Sequence, residues 1–526
     1  MQKINYSTKV TPQSRPIFGR NDMTKNNAGG YGWTVDKWMQ LDRFLVLGTQ
    51  GGTYYVNQDN LDIENADTIV ECLKENGQRV VNRVVEISKE GRAPKNDYAL
   101  FVLAMVSSLG DEATRKAAFN ALPEVARIGT HLFHFVEYRK QFAGWGRGMR
   151  NAISKWYTDK NLKNLTYQLI KYRQRDGWSH RDLLRLAHPS TDENTKALLF
   201  DWVTHNKYNE IGSNVLLEAY LEAQSTKDVK TWVRLILDYN LTREMLPTEA
   251  LKHIKVWNAL LVNMPITALI RNLGVMTANG TILPLSSQVI DIVSKITDGE
   301  ILKKGKVHPI QLLAALSVYE SGHGARGSLH WNTIPQISSA LEDGFYKSFK
   351  YVEPTNKNIL IGLDVSGSMG WYNISGIPNL TPAKASAALC MVTARTERNY
   401  FIHGFSGKFI DLGIGAADSL RSAMHKTNRS DFGSTDCGFP MLYAYNNNLD
   451  VDSFIIYTDS ETWVGNTHPK QALDMYRQKS GNPAKLIVVG MTANKVTIAD
   501  PQDPGMLDVV GFDTATPNII SNFIRE

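Results

Sequence analysis

Between Tyr346 and Asn358, over "YKSFKYVEPTNKN", the spacing of apolar residues changes, and no single architecture satisfies both sides of the change. Upstream, "ALFVLAMVSSL", "EVARIGTHLFHFVEYRKQF", "DVKTWVRLILDYN" and "PIQLLAALSVYESG" repeat apolar residues at three and four positions, the period of an amphipathic helix. Short polar joints such as "GRAPKND" and "AHPSTDENT" separate them, and no clear strand pattern intervenes. Stacked helical hairpins or a solenoid are expected, although no fixed repeat length is visible. Downstream, "NILIGLD" precedes the helical "PAKASAALCMVTARTER", "YFIHGF" precedes "SLRSAMHKT", "DSFIIYTD" precedes "PKQALDMYRQK", and "AKLIVVGM" and "LDVVGFD" precede "PNIISNFIR". That order predicts a doubly wound α/β domain on a mostly parallel sheet buried on both faces. The chain therefore reads as an α + α/β multidomain protein, which its 526 residues also favour over one core.

Composition narrows the classes. With 43% hydrophobic and 21% charged residues, no apolar stretch of about 18 residues and no leader-like N-terminus, a cytoplasmic protein without membrane contact is expected. Cys72, Cys390 and Cys437 lack CxxC spacing, which points to reduced core thiols rather than disulfides or zinc. The net charge of +6 is unevenly placed: the chain before Asn356 carries +8 and the remainder −2. A basic excess confined to the helical part suits either a polyanionic partner or simple solubility.

The α/β part carries the sharpest constellation. Asp364, Ser366 and Ser368, in "GLDVSGSM", end the first strand; Thr435 sits in "FGSTDCGF" before a helix, and Asp459 ends "SFIIYTD". Doubly wound sheets bind ligands outside the carboxyl ends of their strands, so five oxygen donors from three loops should converge there. Hydroxyls and carboxylates without His or Cys suit one hard divalent cation, Mg²⁺ above all. The pattern resembles a von Willebrand factor A domain with a metal-ion-dependent adhesion site; DxSxS in isolation is a weak signal, but after an apolar strand, with the Thr loop and the strand-ending Asp in order, helix capping is the lesser reading of the two serines. Asp436 is assigned to capping "CGFPMLYAY". Glu461 and Asp431, the nearby acids that metal-assisted hydrolysis would need, are read as facing solvent. No GxxxxGK, GxSxG or HExxH motif is present, so no enzyme is expected, with a metal-dependent nuclease as the remote alternative.

Two basic segments lie in the helical part. "KYRQRDGWSHRDLLRLAHP" gathers Lys171, Arg173, Arg175, His180, Arg181, Arg185 and His188. "WGRGMRNAISKWY" places Arg147, Arg150 and Lys155 among Trp145, Trp156 and Tyr157. Cations beside aromatic rings suit phosphates and unstacked bases. From the charge run alone a solvated helix face is the better reading, with at least one tryptophan a packing anchor. His131 and His134 in "THLFHF" are read as core histidines that could reach the same surface. "GTQGGTYY" lacks the lysine of a phosphate loop and reads as a turn in the helical array.

With "LVLGTQGGTYY", "YRQRDGWSHRDLLRLAHP", "MPITALIRNLGVMT", "TDSETW" and "AKLIVVGMTANKVTIADP" added, the chain from Phe18 to Phe523 resembles the Ro 60-kDa autoantigen family, of bacterial or phage type. The resemblance implies an N-terminal tail over 1–17, a TROVE module of HEAT-like helices over 18–355, and a von Willebrand A domain over 356–526. It implies a ring of helices that binds small noncoding Y RNA-like RNAs outside and single-stranded ends of misfolded or structured RNAs, in quality control or processing as a ribonucleoprotein. Lys171, Arg175 and His188 match the family's RNA-contact positions, with Arg173, Arg147 and Arg150 as further candidates. Further expected partners are an exoribonuclease, through RNA, and an acidic protein ligand of the A domain, and a monomer is favoured. The family phrase carries an amide where Asp176 stands, so a carboxylate here should weaken or retune phosphate binding beside Arg175. The alternative reading is a Mg²⁺-dependent protein-interaction scaffold with a merely structural ring.

Overall fold

The computed structural model describes residues 10–50, 52–207, 214–324, 327–349, 352–374, 377, 380–427 and 433–526. From Lys37 to Lys347 it is almost wholly helical, helices packing on the next, the next but one or the third along the sequence. The helix His180–Ala187 shows why these segments start and stop where they do. Ser179 and Asp182 exchange side-chain and backbone hydrogen bonds as a capping box, and His188 closes the other end in the left-handed region. "EVARIGTHLFHFVEYRKQF" is divided in the structure: one helix ends at Val125 and the next begins at Gly129.

The array returns to its own beginning. His308, before the helix Pro309–Glu320, places Nε2 3.0 Å from the Arg92 carbonyl, and Gln311 donates to the Pro94 carbonyl at 2.9 Å. The predicted helical ring closes through these contacts.

Two small hairpins, one before the helices and one among them, form where none were expected. The first, β1 (Met23–Lys25) and β2 (Tyr31–Thr34), pairs antiparallel and joins β10 (Val496–Thr497) of the C-terminal domain. Thr11 and Gln13 bond to Gln471, Asp436 and Thr467. The described residues 10–35 are thus packed on the α/β domain, where the sequence reading put a tail and the start of the helical module. The second hairpin, β3 (Gln174–Arg175) and β4 (Trp178–Ser179), turns on Asp176 and Gly177, whose φ values of 54° and 77° are those of a type I′ turn.

The α/β domain matches its expectation closely. Strands β5 (Ile359–Asp364), β6 (Tyr400–Phe405), β7 (Phe409–Asp411), β8 (Ser453–Thr458), β9 (Lys485–Gly490) and β11 (Met506–Val510) form one sheet in the order β11-β9-β8-β5-β6-β7. All pairs are parallel except β6–β7, a short antiparallel edge. Side chains alternate between two cores: Ile359, Ile361 and Leu363 face the packing that runs on into the helical array, whereas Leu360, Phe454 and Ile456 face Met441, Leu473 and Tyr476. All three cysteines are free and buried. No helix among the described residues is long and apolar enough to cross a membrane.

Candidate metal centre and nucleic-acid interface

At the carboxyl ends of the two central strands, Asp364, Ser366, Ser368 and Asp459 are buried; Thr435 is buried in the loop before the helix Phe439–Asn447, its carbonyl accepting from the Thr462 hydroxyl at 3.2 Å. β5 and β8 are neighbours in register, which brings Asp364 and Asp459 to one edge of the sheet. Asp364 accepts from the Ser366 amide at 2.9 Å and from the Thr458 hydroxyl at 2.7 Å. The Ser366 and Ser368 hydroxyls lie 3.1 Å apart. Asp459 accepts from the Glu461 amide at 3.0 Å, and its carbonyl accepts from Asn494 at 2.6 Å.

The electrostatics are those of a site short of positive charge. Burial, and then the neighbouring Asp459, push the Asp364 carboxyl up to about 7. Burial also raises Asp459, against hydrogen bonds from Ser368 and the Glu461 amide. The donors that favour ionisation are hydroxyls, side-chain amides and backbone N–H groups rather than cations. Two buried carboxylates beside the Ser366 and Ser368 hydroxyls form the donor set a hard cation prefers, so the residues present fit Mg²⁺.

Glu461 departs from the sequence reading, which faced it to solvent. It is buried, accepts from Asn27 at 2.7 Å, the Ala28 amide at 3.1 Å and Asn494 at 3.2 Å, and is pushed up to about 7 by burial and then by Asp459. The N-terminal hairpin turn buries it, a contact no local pattern around "TDSETW" could announce. Asp431 lies outside the described residues. Asp436 accepts from the Gly438 amide at 2.8 Å and from Gln13 at 2.6 Å, at the start of the helix Phe439–Asn447, and so serves the local backbone and the N-terminal segment.

The basic residues divide. Arg147 and Arg150 are exposed on the helix Arg147–Thr158, which is tied to the end of His180–Ala187 by Trp145 Nε1 to the Leu186 carbonyl at 3.2 Å and Ser154 Oγ to the Ala187 carbonyl at 3.1 Å. Those bonds set the two arginines' helix beside exposed His188. Arg173 and Arg175 project from the β3–β4 turn, the Arg175 side chain being 60% exposed. Lys171 is half-buried, donates to the Tyr167 hydroxyl at 2.9 Å, and lines a separate cleft with Arg243 and Asn272.

Several neighbours are structural. Trp156 and Tyr157 are buried; Trp156 donates to the Ala126 carbonyl at 2.6 Å, and the Tyr157 hydroxyl meets His180 Nδ1 at 2.8 Å. Burial pushes His131 and His180 down to about 3; His180 is a buried core residue, and His131 is half-buried beside Asn96 at 3.3 Å. His134 pairs with Asp176. Sequence reasoning did not pair Trp145 with Trp178, whose rings stack at 6.2 Å with Lys140 over Trp178 at 6.0 Å; the Asp-Gly turn that positions Trp178 was the available signal.

A closed helical array with an exposed cationic face, joined to an A-type domain bearing a hydroxyl and carboxylate centre, defines the two-module class of TROVE and von Willebrand A proteins. The family model described as "TROVE domain" matches residues 24–228 and 230–318, and that described as "Ro60 vWA domain" matches 358–524. The chain is 40% identical to "RNA-binding protein RO60" of Deinococcus radiodurans, over 99% of both chains. It is 37% identical to the protein of the same description from Caenorhabditis elegans, over 96% of this chain and 90% of that one. The crystal structure of the Deinococcus radiodurans Ro (RSR) protein aligns at a TM-score of 0.69 and 39% identity, covering 93% of this chain and 99% of that one. The chain belongs to the Ro60 family.

Proposed function

We propose that this protein binds structured small RNA on the outer face formed by the Arg147–Thr158 and His180–Ala187 helices and the turn between Gln174 and Ser179. The observation that carries the reading is charge left available: Arg147, Arg150, Arg173 and Arg181 are exposed and form no ion pair among the described residues. Cations held on rigid helices contact phosphates, which fix register on the RNA, while the half-exposed Trp145–Trp178 stack offers a surface to an unstacked base. Two relatives named as RNA-binding proteins support the reading. Y RNA-like noncoding RNA and single-stranded RNA ends are the ligand classes proposed, in a cytoplasmic ribonucleoprotein that an exoribonuclease joins through the RNA.

Asp364, Asp459, Ser366, Ser368 and Thr435 would hold Mg²⁺, which when bound supplies the positive charge the buried carboxylates lack and a position for an acidic ligand. The residues themselves orient that edge of the sheet: Ser366 and Thr458 fix Asp364, and Glu461 ties the centre to the N-terminal hairpin. No catalysis is proposed. Buried Glu461 is the observation that favours the rival hydrolytic reading, and its two oxygens are already held by Asn27, Ala28 and Asn494.

The test is a salt titration of a structured small RNA. Affinity should fall linearly in log–log form, with about 0.7–0.9 of slope per neutralised phosphate. Salt-independent binding refutes the outer-face reading. Labelled RNA incubated with protein and Mg²⁺ should keep its length; cleavage lost in Asp364→Ala would favour hydrolysis.

A further inference from the structure

After the helix Pro309–Glu320 the chain doubles back, and two histidines face each other across the fold. His323 and His330 are antiparallel partners. The hydrogen bonds that tie the two arms flank this pair rather than join it: the Trp331 amide donates to the Gly322 carbonyl at 2.9 Å, and the Gly324 amide to the Leu329 carbonyl at 2.9 Å. That is the pattern of a non-hydrogen-bonded pair, in which facing side chains come closest and share one side of the ribbon. Both side chains are exposed, with ring centroids 6.2 Å apart and ring planes at 59°.

The surroundings leave the two imidazoles available to one kind of ligand. Neither forms an ion pair among the described residues, and no His, Cys, Asp or Glu joins them there as a third donor. Ser321 Oγ donates to the His323 carbonyl at 3.0 Å, and His323 Nδ1 lies 3.1 Å from the Gly324 carbonyl. A carbonyl only accepts, so Nδ1 carries the proton and Nε2 keeps its lone pair, the tautomer that a backbone carbonyl fixes in a ligating histidine. Two neutral nitrogen donors without thiolate or carboxylate suit a borderline divalent transition metal rather than Mg²⁺. The spacing agrees. With metal–nitrogen bonds of about 2.0–2.1 Å, two imidazoles on one tetrahedral ion hold their centroids about 5 Å apart, so these exposed rings need close by only about 1 Å.

We infer that His323 and His330 form a two-imidazole site for a divalent transition-metal ion of the Zn²⁺ class, its remaining positions filled by water. The site differs in chemistry from the oxygen-lined centre of the α/β domain, so the chain sorts borderline and hard cations between its helical part and that domain. Bound metal adds a third tie across the two arms, next to Trp331, whose Nε1 donates to the Tyr319 carbonyl at 2.9 Å and whose ring stacks on Tyr319 at 6.1 Å. With two protein ligands rather than the four of a structural zinc centre, the ion exchanges with solution.

The test is calorimetric titration of the metal-stripped full chain with Zn²⁺, in saturating Mg²⁺ so that the oxygen-lined centre does not compete. Wild type should show a site that His323→Asn and His330→Gln each weaken by about tenfold or more, while His188→Gln, an exposed histidine elsewhere, changes nothing. Both replaced side chains are exposed, so thermal unfolding in EDTA should be the same in every variant. Copper with ascorbate, which oxidises the histidines that hold the copper, should mark His323 and His330 in peptide mass spectra. Coincident isotherms for wild type and both variants overturn the inference. So does a loss confined to one of the two variants, which shows a lone imidazole, and so does oxidation that falls only on other histidines. Zn²⁺ binding that vanishes in Asp364→Ala and survives in both histidine variants assigns the ion to the α/β domain and overturns it as well.

Discussion

Replacing Asp364 with asparagine tests the metal centre through stability as well as binding. Asp364 is fully buried, and burial followed by Asp459 moves its carboxyl from the usual 3.8 to about 7. A folded-state value above the unfolded one means the folded chain holds this proton more tightly. In metal-free protein that contribution is fully present below about pH 4 and is lost as pH rises through about 7. At about 1.36 kcal/mol per pKa unit the loss is at most about 4 kcal/mol, an upper bound because Asp459 and Glu461 titrate with Asp364. His131 and His180, pushed down to about 3 by burial, and His308, pushed down to about 4, act in the opposite sense. Their stabilisation is present above about pH 6.5 and is lost as pH falls through the unfolded value toward their folded ones. The raw profile mixes both signs, so the quantity to measure is the difference between wild type and Asp364→Asn by urea denaturation in EDTA. The variant should match wild type near pH 4 and exceed it by up to about 4 kcal/mol at pH 8. Saturating Mg²⁺ at pH 8 should close that gap by stabilising wild type alone. A variant less stable than wild type in EDTA at pH 8, or equal stabilisation of both by Mg²⁺, refutes the reasoning.

On the outer surface, Arg147→Ala with Arg150→Ala should lower the log–log salt slope for structured RNA by about 1.5; an unchanged slope and affinity would return both residues to solvent-facing roles. Asp176→Asn keeps a residue that tolerates φ 54° and removes the carboxylate 3.5 Å from Arg175, so RNA affinity in low salt should rise by up to about fivefold. Asp176→Val forces a β-branched residue into the left-handed region and should cost about 1–2 kcal/mol in thermal unfolding. Arg43→Met leaves Asp508, which it binds at 2.7 and 2.8 Å, without its buried counter-charge, and should cost about 3–5 kcal/mol in urea denaturation. Arg43→Met with Asp508→Leu should recover much of that loss; no recovery would mean that the Asn494 and Val496 carbonyls, rather than the charge pair, set the cost.

What could be read along the chain is what short-range periodicity encodes. "NILIGLD" and "DSFIIYTD" are buried on both faces because a central parallel strand has no wet side, and their terminal acids mark the ligand edge by topology alone. The Asp-Gly in "RQRDGWS" is equally local; a dense charge run favours a solvated helix face and masks a type I′ turn. The carboxylate at Asp176 also takes on a physical meaning, since Asp or Asn suits a left-handed turn position and only the carboxylate brings a negative charge to His134 and Arg175.

What could not be read depends on residues hundreds of positions apart. Gln13 is buried because Asp436 and Thr467 accept its amide, Arg43 because Asp508 and two carbonyls surround it, and Glu461 because Asn27 and Ala28 reach it. Each of these side chains, taken with its immediate neighbours, is a polar surface residue. Together they show that the boundary near Asn356 separates two hydrophobic periods but not two independent bodies. The inner sheet face shares its core with the helices, the chain's first strands complete a small sheet in the last domain, and Arg92 and His308 both close on Asp513 and Phe512. A helical array closed partly through another domain cannot open at that seam without exposing the Arg92–Asp513 pair. The edge that carries Asp364 and Asp459, the N-terminal hairpin and the closure of the array all rest on the α/β domain, and a change in the charge of the first should be felt as a change in the stability of the last.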